Sequence, residues 1–88
     1  MRKRTVRNIA RILAVLKETP LHLRGISRVT GLNPFVVSHI IDRYLSPFVE
    51  IKQVDEFGLK VKIISLKKDV SVSEVLRYAR FRKAMKEF

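Results

Sequence analysis

Apolar residues recur every three or four positions over the first half of the chain, which is the spacing of a helix with one buried face. The pattern predicts helices over residues 5–18, 23–30 and 34–45, with a short extended link at residues 21–22. Thr5 is suited to cap the first helix. The predicted inward positions are Val6, Ile9, Ala10, Leu13 and Leu16, then Ile26 and Val29, then Val37, Ile40, Ile41 and Tyr44 or Leu45.

Gly31 and Asn33 mark the junction between the second and third predicted helices. Glycine adopts the left-handed backbone conformation that ends a helix at little cost. Asn33 is suited to cap the next helix, and Pro34 fits its first position because no backbone donor is missed there. Two short helices joined at one glycine predict a helix-turn-helix whose second helix begins abruptly and points outward.

After Pro47 the apolar residues alternate with polar ones, which is the period of a β-strand. The alternation predicts a β-hairpin over residues 48–66, around a turn at residues 55–58 in which Gly58 supplies the positive φ. We expect Lys52, Lys60 and Lys62 to lie together on its outer face.

Ser71 and Glu74 have the spacing of a capping box, which predicts a last helix over residues 72–88. One side of this helix carries Val72, Val75, Leu76 and Ala79, and a second apolar strip consists of Tyr78, Phe81, Met85 and Phe88. No repeat or flexible linker divides the chain, so we expect a single domain over residues 1–88.

The chain is strongly basic: 19 Lys and Arg residues against 8 Asp and Glu residues give a net charge of +11 on 88 residues. Such a balance favours a polyanionic partner, with nucleic acid as the leading candidate. Adaptation to a hot cytoplasm is the alternative explanation, because Lys-rich surfaces with few Asn, Gln and Cys residues are common there.

Several classes of protein are disfavoured by the sequence. There is no cysteine, which excludes a disulfide framework and a thiolate metal site. No apolar run approaches the ~18 residues of a membrane span, and the basic start lacks the apolar core of a signal peptide, so we expect a cytoplasmic protein. His22 and His39 fall on separate elements, and no nucleophile–base spacing or phosphate-binding glycine loop is present. We therefore expect no enzyme activity, cofactor, metal site or small-molecule ligand.

The order of three helices, a hairpin and a final helix is that of a winged helix, and the chain resembles the small winged helix-turn-helix transcription regulators of archaea and bacteria. The resemblance covers about residues 6–66. Its most specific part is Ile26-Ser27 followed by Gly31-Leu32, similar to the family's apolar-small-x-x-x-Gly-apolar pattern, with Ser27 where alanine is usual. It implies an α+β, mainly α fold that binds double-stranded DNA.

The resemblance also implies that the third helix lies in the major groove. The matching contact positions are Asn33, Pro34, Phe35, Ser38, His39 and Asp42, with Arg43 able to reach a phosphate. Ser38 and His39 can bond to base edges, and Phe35 can touch a thymine methyl. Asp42 is repelled by phosphates and better suits an intramolecular contact. As an alternative, Phe35 and Val36 form an apolar surface for a protein partner.

Two basic segments are candidate phosphate contacts. On the wing these are Lys52, Lys60 and Lys62, carried by the strands, because Asp55 and Glu56 at the tip would be repelled. The second is a basic arm over residues 1–5, with Arg2, Lys3 and Arg4, followed by Arg7. It either lies along phosphates or a minor groove, or is a solvated, frayed terminus.

The last helix has two interpretations. Its apolar strips exceed what one small domain needs, which predicts a homodimer through Leu76, Tyr78, Ala79, Phe81, Met85 and Phe88. The alternative is a helix folded back on the core. Its basic residues also suit contact with nucleic acid or, less readily, an anionic membrane surface.

Two classes of function therefore stay open. The first is a sequence-specific DNA-binding transcription regulator. The second is a winged-helix module for protein interaction or RNA binding, in which Phe35 and Val36 dock on a partner.

Overall fold

A computed structural model describes residues 2–86, with the side chains of residues 2–55 and 57–81. The fold is α+β and mainly helical, as predicted. Its helices are α1 (Lys3–Glu18), α2 (Leu23–Thr30), α3 (Pro34–Ile40) and α4 (Val72–Lys86), and its strands are β1 (Leu21–His22), β2 (Val49–Glu56) and β3 (Leu59–Leu66).

Helix α1 begins earlier than predicted. Arg2 is the extended residue before the helix and Lys3 is its first residue, so the prediction that Thr5 caps it is wrong. Lysine and arginine are good helix formers. They add a turn whose first hydrogen bond runs from the Val6 backbone N–H to the Arg2 carbonyl, at 3.2 Å. Lys3 and Arg4 therefore belong to the helix and not to a flexible arm.

The buried stripe of α1 consists of Ile9, Ile12, Leu13 and Leu16. Ile12 was not predicted, whereas Val6 and Ala10 are only half-buried. Helix α1 is contacted by α2, α3, α4 and β3, so residues on more than one side of it are buried. A single-face prediction cannot allow for neighbours on several sides.

The described core is entirely apolar, with no buried polar or charged side chain among the described residues. Its members are Ile9, Ile12, Leu13, Leu16, Ile26, Val37, Ile40, Ile41, Leu45, Val49, Ile64, Val75 and Ala79. The prediction that Val29 turns inward is wrong, since its side chain is 64% exposed. It lies in the last turn of the short helix α2, where it lines a shallow apolar depression with Ala14 and Leu21.

The helical path of α3 continues beyond Ile40 with altered hydrogen bonding. Residues Ile41–Leu45 form a π-helical turn and Ser46–Phe48 a 3₁₀ turn. Proline cannot continue an α-helix, because it lacks the N–H and crowds the preceding carbonyl. The altered turns admit Pro47 while Ile41 and Leu45 still enter the core.

The three strands form an antiparallel sheet in the order β1-β3-β2. The segment predicted as a link is a strand, in which Leu21 lies opposite Ile64 and His22 opposite Ile63. Because α2 begins at Leu23, this pairing joins the start of α2 directly to the hairpin.

The turn between β2 and β3 contains two residues, not the four that were predicted. Glu56 pairs with Leu59 and Asp55 with Lys60, so both acidic residues belong to β2. Phe57 and Gly58 have φ angles of 51° and 77°. Positive φ at both central residues is what a type I′ hairpin turn requires.

Helix α4 packs on the core, as the second interpretation expected. One of the two hydrogen bonds of the predicted capping box is confirmed, since Ser71 Oγ accepts from the Glu74 backbone N–H at 3.2 Å. Val75 and Ala79 are fully buried, and the Tyr78 ring meets Phe48 edge to face with centroids 5.4 Å apart.

These contacts correct the predicted dimer surface. Ala79 is wrong as a dimer contact because the core of the same chain buries it completely. Leu76 packs partly against that core, whereas Phe81 is 64% exposed. The side chains of Met85 and Phe88 lie outside the described residues. The homodimer stays a prediction.

Phe57 offers a test of the turn. We expect Phe57→Asn to raise the free energy of unfolding by about 1 kcal/mol, because asparagine tolerates the left-handed conformation that costs other residues about that much. Urea denaturation followed by circular dichroism measures the change. Phe57→Ala is the matched control, since it removes the same exposed ring without favouring positive φ. An equal gain from both variants would contradict the conformational explanation.

Candidate nucleic-acid interface

The junction between α2 and α3 is fixed by hydrogen bonds across the turn. Gly31 has φ 75°, and its N–H donates to the Ser27 carbonyl at 2.9 Å. Ser27 Oγ donates to the Leu32 carbonyl at 2.5 Å, and Thr30 Oγ1 donates to the Ile26 carbonyl at 2.7 Å. Ser27, the departure from the usual alanine, therefore ties the end of α2 to the residue beyond the glycine.

Asn33 caps α3, as predicted. Its Oδ1 accepts from the Phe35 backbone N–H at 2.8 Å, and its carbonyl accepts from the Val37 N–H at 3.0 Å. A side-chain amide has one oxygen acceptor and one NH2 donor group. With Oδ1 accepting in the cap, the NH2 group of Asn33 remains available to donate to a ligand.

The exposed face of α3 brings together most of the predicted contact residues. Pro34, Ser38 and His39 are exposed, and Phe35 is 84% exposed. Residues spaced three and four apart share one helical face, so these side chains form one surface. Arg43 differs, because it is half-buried and already has a partner within the chain.

A groove of about 350 Å³ separates α3 from the hairpin. Its lining residues are Leu23, Ser38, Ile41, Asp42, Ile51, Lys62 and Ile64. Asp42 thus shares the groove with a lysine, an arrangement that offsets the repulsion between its carboxylate and an anionic ligand.

The three lysines of the hairpin do not share one face, so that prediction is wrong. Directly opposed residues of an antiparallel pair lie on the same face. Lys62 lies opposite Gln53. Gln53 is two positions from Ile51 along β2, and Ile51 lines the groove, so Lys62 is on the face toward α3. Lys60 is two positions from Lys62 and lies on the same face. Lys52 opposes Ile63 on the other face.

The physical reason is the even number of residues in the turn, which sets even-numbered positions of β2 opposite odd-numbered positions of β3. Leu59, Val61 and Ile63 fall on the face of Lys52, although the sequence pattern pairs them with Ile51. That outer face is partly apolar, with Leu59 67% and Val54 40% exposed. Lys52 is therefore not among the residues that lie beside α3.

A second concavity, of about 500 Å³, lies on the other side of α3, against α1. Helix α1 contributes Arg4, Thr5, Arg7, Asn8 and Arg11, and the opposite wall consists of Leu32, Val36, His39, Ile40 and Tyr44. No acidic side chain is among these lining residues. We call this concavity the α1–α3 cleft.

Sequence reasoning missed Arg11 and Asn8 as members of this site. The signal was present, since Arg4, Arg7 and Arg11 have the three- and four-residue spacing of one helical face. The sequence alone does not show that this face lies beside α3, because that depends on how α1 and α3 pack together. Arg2 and Lys3 are exposed at the start of α1 and do not line the cleft.

Other kinds of site find no support in the described part of the chain. Among the described side chains, those of residues 2–55 and 57–81, there is no group of three or more acidic or histidine side chains placed to hold a metal ion. Within the same range, every helix is too short or too polar to cross a membrane.

Comparisons with protein-family models, with curated proteins and with solved structures find no match.

Substitutions at Gly31 test whether the turn that positions α3 requires a positive φ. A Cβ at this residue would meet nothing within 4 Å, so a substitution acts through the backbone alone. We expect Gly31→Ala to lower the free energy of unfolding by about 1–2 kcal/mol, the cost of a left-handed residue. Gly31→Asn is the matched control and costs less, because asparagine tolerates this conformation. Chemical denaturation measures both, and an unchanged Gly31→Ala protein would refute the requirement for positive φ.

Proposed function

We propose that this protein binds double-stranded DNA as a winged helix-turn-helix transcription regulator, with α3 in the major groove. The observation that carries the proposal is the exposed face of α3, on which Phe35, Ser38 and His39 lie beyond a capped and hydrogen-bonded turn. This face belongs to a chain with a net charge of +11.

The dimensions of the helix suit this role. An α-helix with its side chains is about 10–12 Å across, and the major groove is about 12 Å wide. Ser38 can donate to or accept from a base edge, and the ring nitrogens of His39 can also bond to a base edge. Phe35 offers an apolar contact to a thymine methyl.

The hairpin acts as the wing in this proposal. Lys60 and Lys62 are on the face toward α3, so they contact phosphates beside the helix. Lys52 lies on the opposite face and contributes only to the long-range attraction. Lys60 lies directly opposite Asp55, so the lysine charge reduces the repulsion expected between that carboxylate and phosphates.

The proposal is tested by selecting binding sites from a randomised duplex DNA pool at about 50 and 200 mM salt, and then measuring affinities for the enriched site. We expect Ser38→Ala with His39→Ala to lower the preference for that site about tenfold or more, since a good base contact contributes about 1–3 kcal/mol of discrimination. Nonspecific binding should stay the same, because phosphate contacts supply it.

The matched control is Thr19→Ala with His22→Ala, which removes an exposed hydroxyl and an exposed imidazole that line neither the groove nor the α1–α3 cleft. It should leave site preference unchanged. No enriched sequence, or equal losses in both double variants, would contradict base reading by α3. Enrichment of an inverted repeat would in addition support a homodimer.

A second candidate function is a winged-helix module for protein interaction or RNA binding. The exposure of Phe35 (84%) beside that of Val36 (39%) favours it, because exposed apolar patches mark interaction sites. Phe35→Ala separates the two functions. It abolishes partner capture or RNA retention in the second, and lowers the preference for thymine at one position in the first.

A further inference from the structure

We propose that the α1–α3 cleft holds phosphates of one DNA strand, so that Arg7 and Arg11 are backbone contacts on the flank of α3 opposite the hairpin. This inference rests on the proposed duplex binding and adds a second contact surface to it. The ligand class is the phosphodiester backbone of duplex DNA.

The first support is the position of the cleft relative to α3. Ser38 and Asp42 line the groove on the hairpin side, whereas Val36 and His39 line the cleft on the α1 side. The major groove is bounded by a phosphate backbone on each side, so a helix that lies in it has one strand along each flank. The hairpin lysines can reach only one of these strands. The other strand requires cations on the flank formed by α1.

The second support is the spacing of the arginines. Arg4, Arg7 and Arg11 follow one face of α1, and at 1.5 Å per residue they span about 10 Å along the helix axis. One strand of B-DNA carries a phosphate about every 3.4 Å along the duplex axis. Laid along the duplex axis, the arginine row therefore covers about three intervals between successive phosphates.

The third support is the chemistry of the cleft. All three arginines are exposed, so their charges keep their solvation in the free protein. No carboxylate is among the described lining residues to compete for them. Arginine presents a planar fork of donors that matches phosphate oxygens, and Asn8 adds a side-chain amide between Arg7 and Arg11.

The test measures the dissociation constant for a labelled 20-base-pair duplex by fluorescence anisotropy at several salt concentrations. The slope of log K against log salt has a magnitude of about 0.9 per phosphate contact. We expect Arg7→Ala with Arg11→Ala to reduce that magnitude by about 1.8. The matched control is Lys17→Ala with Lys68→Ala, which removes two exposed positive charges that line neither the cleft nor the groove. We expect this control to leave the slope nearly unchanged.

A second pair of variants separates charge at the cleft from damage to the fold. Arg7→Lys with Arg11→Lys keeps both charges and should restore most of the slope. Circular dichroism melting of each variant checks that α1 remains folded, which the exposure of these side chains leads us to expect.

The outcomes distinguish this inference from the function on which it rests. If the wild-type protein shows no salt-dependent binding of the duplex, the proposed function fails. If it binds but both alanine pairs reduce the slope equally, net charge explains the effect and the cleft contact is refuted. If the arginine pair weakens binding of inorganic phosphate but leaves the DNA slope unchanged, the cleft is a site for small anions, which also refutes the proposal.

Discussion

The apolar stripe of α1 is the surface against which the rest of the chain packs. Ile9, Ile12 and Leu13 are fully buried, and α1 contacts α2, α3, α4 and β3. Truncating one such side chain to alanine costs about 2–5 kcal/mol, a large part of the 5–15 kcal/mol by which small domains are stable. Because the described core accepts only apolar side chains, the charged residues remain on the surface, including both flanks of α3.

Helix α1 carries two kinds of residue on different faces. The face with Ile9 and Leu13 holds the core together, and the face with Arg7 and Arg11 lines the cleft beside α3. Packing of the first face fixes the distance between the second face and α3. A site of this kind is rigid although every one of its charged side chains is exposed.

Sequence reasoning succeeded where the controlling interactions are local. Gly31 and Asn33 predicted the junction of α2 and α3, because a positive φ and a cap depend on residues within a few positions. It failed where distant segments decide the structure. The pairing of Leu21 with Ile64 and the assignment of Lys52 to the outer face depend on strand register, which the alternation within one strand does not determine. The apolar pattern likewise indicates that Ala79 is buried, but it does not show whether the core of the same chain or a second copy buries it.

Strand β1 is two residues long, yet it determines how firmly the hairpin is held. Leu21 and His22 pair with β3, and α2 begins at the next residue, so no loop separates the sheet from the α2–α3 pair. The hairpin is therefore placed beside α3 during folding, before any ligand arrives. A preorganised surface loses little conformational entropy on association. The width of the groove between α3 and the hairpin is set by strand pairing in the free chain.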